Sequence, residues 1–205
     1  MDVRELDVAL RGNIGNNIIY SGVYTSDKIP YFYERWRKPV MFIVNTLKST
    51  TDIQIIGHWV AFYIESSRLI FFDSYGIHPY VYGEEIEKYV NNYKRREVNC
   101  VFFNHQIQPG TSVKCGLYVL FFIHYTSHYN IDSFTRITFS RSSLSDNDKF
   151  VTSYYFKYLN KSKSCKDWRY GKNRAITYEE CTCLGKKFFF LFIFFIYLYT
   201  VCYSL

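Results

Sequence analysis

The chain has 205 residues, a length typical of one domain, and 21% of them are aromatic, which supplies material for a large core. Six Cys without an apolar segment at the N-terminus favour a reducing, intracellular compartment over a secreted disulfide framework. Residues 161–205 hold most of the net charge of +7, with 8 Lys or Arg against 3 Asp or Glu. Charge therefore does not require a nucleic-acid-binding face on the rest of the chain.

The hydrophobic pattern predicts helices alternating with strands. Residues 2–10 are predicted to form a short helix, because Asp2 and Glu5 form a capping box and Gly12 ends it. Strands are predicted at 41–45, 56–65, 69–72 and 99–103, and further helices at 84–95, 115–129 and 145–159. We expect an α+β fold: a central, mostly antiparallel sheet packed against the core helix that begins at Cys115.

Two of the predicted strands form a hairpin that turns at Ser66 and Ser67. His58 lies in the first of these strands and Asp73 follows the second. The hairpin places the strands side by side, and we expect His58 and Asp73 near opposite ends of the same antiparallel ladder.

The residue types in this region are those that a cysteine peptidase needs. Cys115 begins an apolar helix after a loop, and a helix N-terminus favours the thiolate that acts as nucleophile. His58 would pair with that thiolate and move the proton, while Asp73 would fix the imidazole tautomer. Gln108 would donate to the oxyanion together with the Cys115 backbone N–H. Gln106 competes for this role, but its spacing to the Cys is less favourable.

Lys94, Arg95 and Arg96 form a compact basic cluster. Two interpretations stay open: a solvated helix end whose cations complement the dipole, or a nucleic-acid contact.

No metal site is expected. His124 and His128 lie four residues apart on one helix face, as metal ligands can. Cys181 and Cys183 do not have Cys-x-x-Cys spacing and have no second pair.

Taken together, the motifs resemble the adenovirus protease (adenain) group of cysteine endopeptidases and, more distantly, the SUMO-specific proteases. The resemblance covers residues 5–160. It is carried by His58-Trp59, by an acid in the sequence Phe-Asp73-Ser-Tyr-Gly, and by Gln108 seven positions before Cys115-Gly. The acid is Asp where the adenovirus enzymes usually carry Glu.

The resemblance implies a cysteine protease domain at 1–160, with His58, Asp73 and Cys115 as catalytic residues and Gln108 at the oxyanion. It implies cleavage of viral or virus-like structural precursors, capsid or core proteins, next to Gly. Trp59 would line a narrow substrate channel. The alternatives are a deconjugase of ubiquitin-like modifiers that cleaves after Gly-Gly, and an inactive protease-fold binding module.

The resemblance also bears on partners and location. It implies no cofactor for the chemistry, but activation by DNA and by a short viral peptide held through a disulfide. Cys100 lies in roughly the region of the family Cys for that disulfide. A monomer in the host nucleus or the virion is expected.

Residues beyond 160 differ in character. Residues 161–187 are predicted to be a basic, polar linker, and 188–205 are almost wholly apolar. These eighteen residues, which follow Lys186 and Lys187, just reach the length of a membrane anchor. A T-rich intron translated in error would also give such a Phe-rich run, and a buried core helix is the third interpretation.

Overall fold

The structure is a computed structural model that describes residues 1–32, 37–51, 57–137 and 139–160. The predicted segments 161–187 and 188–205 lie outside the described residues. Within this part of the chain, five strands form one sheet with helices on both faces, which confirms the predicted α+β class. The strands are β1 (Ile19–Thr25), β2 (Val40–Asn45), β3 (Trp59–Ile64), β4 (Arg68–Phe72) and β5 (Asn99–Phe102).

The sheet is mixed, so the expected mostly antiparallel pairing is wrong. The strands lie in chain order, with β2–β3 and β3–β4 antiparallel but β1–β2 and β4–β5 parallel. Strands joined by a tight turn pair antiparallel, whereas a strand that returns through a long crossover pairs parallel. A helix, α2 (Glu84–Lys94), lies between β4 and β5 and makes that crossover.

The helices follow the sequence signals closely. The first, α1 (Val3–Arg11), has the predicted capping box: Glu5 N donates to Asp2 Oδ1 at 2.8 Å, and Asp2 N donates to Glu5 Oε2 at 2.9 Å. The predicted helix 145–159 is found as α5 (Leu144–Tyr154) followed by a π-helical turn, Tyr155–Leu159. The remaining helices are α3 (Cys115–Tyr129), which was predicted, and α4 (Ile131–Thr135), which was not.

Alternation along the strands divides the core into two layers, because successive side chains point to opposite faces. On one face, Met41, Ala61 and Phe72 pack against α3. On the other, Phe42, Phe62 and Phe71 pack against α2, and the two clusters of buried core residues share no member. The helix α3 is buried along most of its length, and this fixes its first residue, Cys115, against the end of the sheet.

Among the residues that the structure describes, no helix combines the length and the hydrophobicity that a membrane crossing requires.

Candidate active site

The open end of the β3–β4 hairpin holds the predicted base and its acid. His58 directly precedes β3 and Asp73 directly follows β4. The ladder pairs Ala61 with Phe72. His58 and Asp73 therefore lie at the same end of the hairpin. The expected placement at opposite ends of the ladder is therefore wrong, because antiparallel strands bring the start of one beside the end of the next.

His58, which is partly buried, forms a hydrogen bond with the buried carboxylate of Asp73. His58 Nε2 lies 2.6 Å from Asp73 Oδ1, and the Asp73 side chain has no solvent exposure. A buried carboxylate is costly unless it is paired and hydrogen-bonded. Three further donors meet this requirement: Tyr75 N to Oδ1 at 2.9 Å, and Ile77 N (3.0 Å) and the Tyr82 hydroxyl (2.6 Å) to Oδ2. Asp73 is thereby fixed in the orientation that holds the imidazole.

Cys115 lies on the other side of the imidazole, at the first residue of α3. His58 and the backbone N–H groups of Trp59 and Gly116 are near enough to the thiol to lower its pKa. Because Nε2 of the imidazole faces Asp73, Nδ1 is the nitrogen left for the sulfur. The predicted order of acid, imidazole and thiol is therefore present as a chain of contacts.

The electrostatics of the pair favour the charged forms. Burial opposes protonation of the imidazole, but the hydrogen bonds and charges of Asp73 and Cys115 outweigh it and raise the pKa of His58 to about 9. Burial alone would raise the pKa of the Cys115 thiol, but the hydrogen bond and charge of His58 and two backbone N–H groups lower it. The site therefore favours a thiolate beside an imidazolium.

Gln108 is fully buried and held by three hydrogen bonds. Its Oε1 accepts from Ser74 Oγ at 2.6 Å, and its Nε2 donates to Ser112 O at 2.8 Å and to the Tyr75 hydroxyl at 3.1 Å. Both amide hydrogens are therefore donated to protein acceptors. Gln106, the alternative, is exposed and donates from its side chain to the Gln108 carbonyl at 2.9 Å. Of the two side chains, only that of Gln108 is buried, and it is hydrogen-bonded to Ser112 in the loop before Cys115.

Trp59 is covered and contributes little open surface. It is 7% exposed, and its indole N–H donates to Met1 O at 3.3 Å. The Met1 side chain also lies against Gly116, where an added Cβ would be 3.2 Å from both Cβ and Sδ of Met1. Trp59 therefore offers little surface to the predicted substrate channel, because Met1 lies against both Trp59 and Gly116.

Sequence reasoning missed two tyrosines that contact the imidazole. The ring centroid of Tyr75 lies 4.8 Å from that of His58, and the ring of Tyr82 stacks on it at 5.6 Å. Tyr75 was visible in the sequence as the residue two positions after Asp73. Tyr82 carried no signal, because only the Pro79–Tyr82 turn brings it back over the site.

The basic cluster lies at the end of α2. Lys94, Arg95 and Arg96 are exposed, and Lys94 Nζ lies over the rings of Tyr80 (4.9 Å) and Phe102 (5.3 Å). The cluster leads into the start of β5, whereas Asp73 follows the end of the parallel strand β4. The cluster therefore precedes one end of the β4–β5 pair, and Asp73 lies at the other end.

The remaining candidates lie elsewhere. Cys100 is half-buried in β5, and burial raises the pKa of its thiol. His124 Nδ1 hydrogen-bonds the Tyr154 hydroxyl at 2.6 Å, and His128 Nδ1 lies 2.9 Å from His124 O. Within residues 1–160, apart from the masked gaps, no three His, Cys, Asp or Glu side chains group as metal ligands. Cys181 and Cys183 lie outside the described residues.

Comparison with models of known protein families gives no match, and a search of curated proteins also finds none.

Proposed function

We propose that the protein is a cysteine endopeptidase of the adenain-like kind that cleaves viral or virus-like structural precursors next to Gly. The observation that carries the proposal is the hydrogen bond of His58 to buried Asp73 beside Cys115 at the start of α3, with the thiol pKa lowered and the imidazole pKa raised by one another's charge. A buried inert thiol would show the opposite shift, because burial disfavours the thiolate.

The geometry supports the following chemistry. The Cys115 thiolate attacks the carbonyl carbon of the scissile peptide, and the carbonyl electron pair moves to oxygen. The imidazolium of His58 then gives its proton to the departing amine as the C–N bond breaks, which leaves a thioester on Cys115. Water, deprotonated by His58, attacks the thioester, and the thiolate is released. Asp73 holds the imidazole in the required orientation throughout.

The oxyanion of each tetrahedral intermediate needs donors aimed at it in advance. The Cys115 backbone N–H, at the first residue of α3, and the Gln108 side chain are the proposed donors. Gln108 supports this role because Ser74 fixes its carbonyl oxygen and thereby directs its NH2 group toward the loop before Cys115.

Cleavage next to Gly is proposed from the resemblance alone.

The test is a substrate panel with the full chain. Peptides of the form Leu-x-Gly-Gly-x should be cut, and replacing the Gly before the bond with Val should block cutting. Conjugates of ubiquitin-like modifiers form the second arm, and faster cleavage of these would assign the protein as a deconjugase. Cleavage in neither arm, with a folded protein, would contradict the enzyme assignment and leave the inactive binding module.

A further inference from the structure

We propose that Tyr75 is a positioning residue that holds the oxyanion donor Gln108 through its hydroxyl and the base His58 through its ring. This inference rests on the proposed function. It concerns a side chain that stands between the two halves of the site and has no direct part in bond making.

The hydroxyl of Tyr75 links Gln108 to the loop before the nucleophile. It accepts from Gln108 Nε2 at 3.1 Å and donates to Ser112 O at 2.7 Å. Gln108 Nε2 donates to the same Ser112 carbonyl at 2.8 Å, which closes a three-membered ring of hydrogen bonds. Since Ser112 is three residues before Cys115, this ring fixes the loop and the amide together.

The geometry also shows how an amide with both hydrogens donated can serve an oxyanion. The bond to the Tyr75 hydroxyl is the longer of the two and joins neutral groups. A developing oxyanion accepts a charge-assisted hydrogen bond, which is stronger than a neutral one. In this proposal the Tyr75 hydroxyl holds the amide in place until the oxyanion accepts its hydrogen, and the hydroxyl retains its own bond to Ser112 O afterwards.

The rest of Tyr75 contacts the base and its acid. Its ring centroid lies 4.8 Å from that of His58, with 32° between the ring planes, and its backbone N–H donates to Asp73 Oδ1. An aromatic face favours a neighbouring cation, so the ring stabilises the imidazolium. The other titratable groups near this pair are Asp73, Tyr82 and Cys115, and Asp148 faces Tyr75 from α5.

Loss of the hydroxyl alone should affect Gln108 and spare the ring. In Tyr75→Phe, one buried amide hydrogen loses its acceptor, and kcat should fall about fivefold to tenfold, the effect of one hydrogen bond, with little change in KM. When Tyr75→Phe is added to the Gln108→Ala variant, kcat should not fall further, because the amide that the hydroxyl holds is already absent.

Loss of the ring should affect the ion pair. In Tyr75→Leu, alkylation of Cys115 by iodoacetamide at neutral pH should slow about threefold, since less cation stabilisation weakens the imidazolium. The pH profile of alkylation should shift upward in Tyr75→Leu and stay unchanged in Tyr75→Phe.

The experiment is a double-mutant cycle of Tyr75→Phe and Gln108→Ala, measured as kcat and KM on the best Gly-Gly peptide, with pH-dependent alkylation in parallel. Tyr63→Phe is the matched control: Tyr63 is buried, its hydroxyl donates to Glu65 at 2.8 Å, and it lies toward the closed end of the same hairpin. The inference is overturned if Tyr75→Phe leaves kcat unchanged or raises it. It is also overturned if Tyr75→Phe reduces kcat as much in the Gln108→Ala variant as in the unmodified chain. If the unmodified chain cuts no peptide, the peptidase proposal fails, while equal alkylation profiles for Tyr75→Leu and Tyr75→Phe would still refute the role of the ring.

Discussion

Cys100 and Cys115 are both free and partly buried, yet the pKa values of their thiols move in opposite directions. Burial raises the pKa of Cys100, and the charge of Lys94 offsets this only in part. Burial acts in the same sense on Cys115, but the hydrogen bond and charge of His58 outweigh it. The difference shows that the partners of a cysteine, and not its burial, decide whether the thiolate forms.

The two positions in the fold explain why only one thiol has such partners. Cys100 is in the middle of a strand, opposite Leu69, and its thiol donates to the carbonyl of Val98 at 3.4 Å. Cys115 is the first residue of a helix that points its N-terminus at the open end of a hairpin. Unpaired N–H groups at a helix start favour negative charge at Cys115, and Cys100 does not lie at a helix start.

Substitution of each cysteine in turn should give the largest difference in peptide turnover. Cys115→Ala should abolish peptide cleavage and leave the fold intact, because a small residue replaces a small one. Cys100→Ser should cleave at the rate of the unmodified chain. The measurement is turnover of a Gly-Gly peptide, with thermal unfolding to confirm folding. Normal turnover in Cys115→Ala would end the catalytic assignment.

Loss of the oxyanion donor should have the next largest effect. Gln108→Ala should reduce kcat by about 10²–10³, the usual effect of removing one such donor. The pH profile of Cys115 alkylation should stay the same, because Gln108 does not contact the ion pair in the described contacts. Gln106→Ala is the control and should retain activity. A larger loss in Gln106→Ala than in Gln108→Ala would exchange the two assignments.

Asp73→Asn should raise the pKa of the Cys115 thiol and so make its reactivity more similar to that of Cys100. A neutral amide cannot stabilise the imidazolium, so the pKa of His58 should fall and that of Cys115 should rise. We expect a loss of turnover at neutral pH that is smaller than in Cys115→Ala, with partial recovery as the pH is raised. The check is a pH–rate profile beside that of the unmodified chain. An identical profile would show that Asp73 does not orient the base.

The surroundings of Cys100 should matter least, and only if DNA is an activator. Replacing Lys94, Arg95 and Arg96 with Ala should leave basal turnover unchanged and reduce any stimulation by DNA. Such stimulation should also decline steeply with salt, because bound phosphates release counterions. Stimulation that survives both changes would place DNA at another surface, and a salt-insensitive rate would indicate a self-sufficient enzyme.

The sequence was sufficient for the parts of the site that depend on local signals. The Asp2–Glu5 capping box, the helix start at Cys115 and the hairpin around Ser66 each follow from residue type and spacing, and the structure has all three. The contact of His58 with Asp73 also follows from the hairpin, although the two residues leave it at the same end and not at opposite ends as expected.

The parts that were missed depend on contacts between distant segments. Met1 lies against Trp59, 58 positions away, and no local pattern encodes that contact. Strand β1 was not predicted, because a register shift between Tyr20 and Gly22 interrupts its alternation. The sense of pairing at both sheet edges likewise depends on the crossover connections, which hydrophobic periodicity does not specify.

The most direct test of the central claim compares the two thiols in one sample. The folded, unmodified chain is treated briefly with iodoacetamide over a range of pH, and alkylation of the Cys100 and Cys115 peptides is quantified by mass spectrometry. The account predicts that Cys115 reacts well below the ordinary thiol pKa, with a further change near the His58 pKa of about 9, while Cys100 reacts only at higher pH. Loss of the low-pH reaction in His58→Ala would assign it to the ion pair. Equal profiles for the two cysteines would contradict the account.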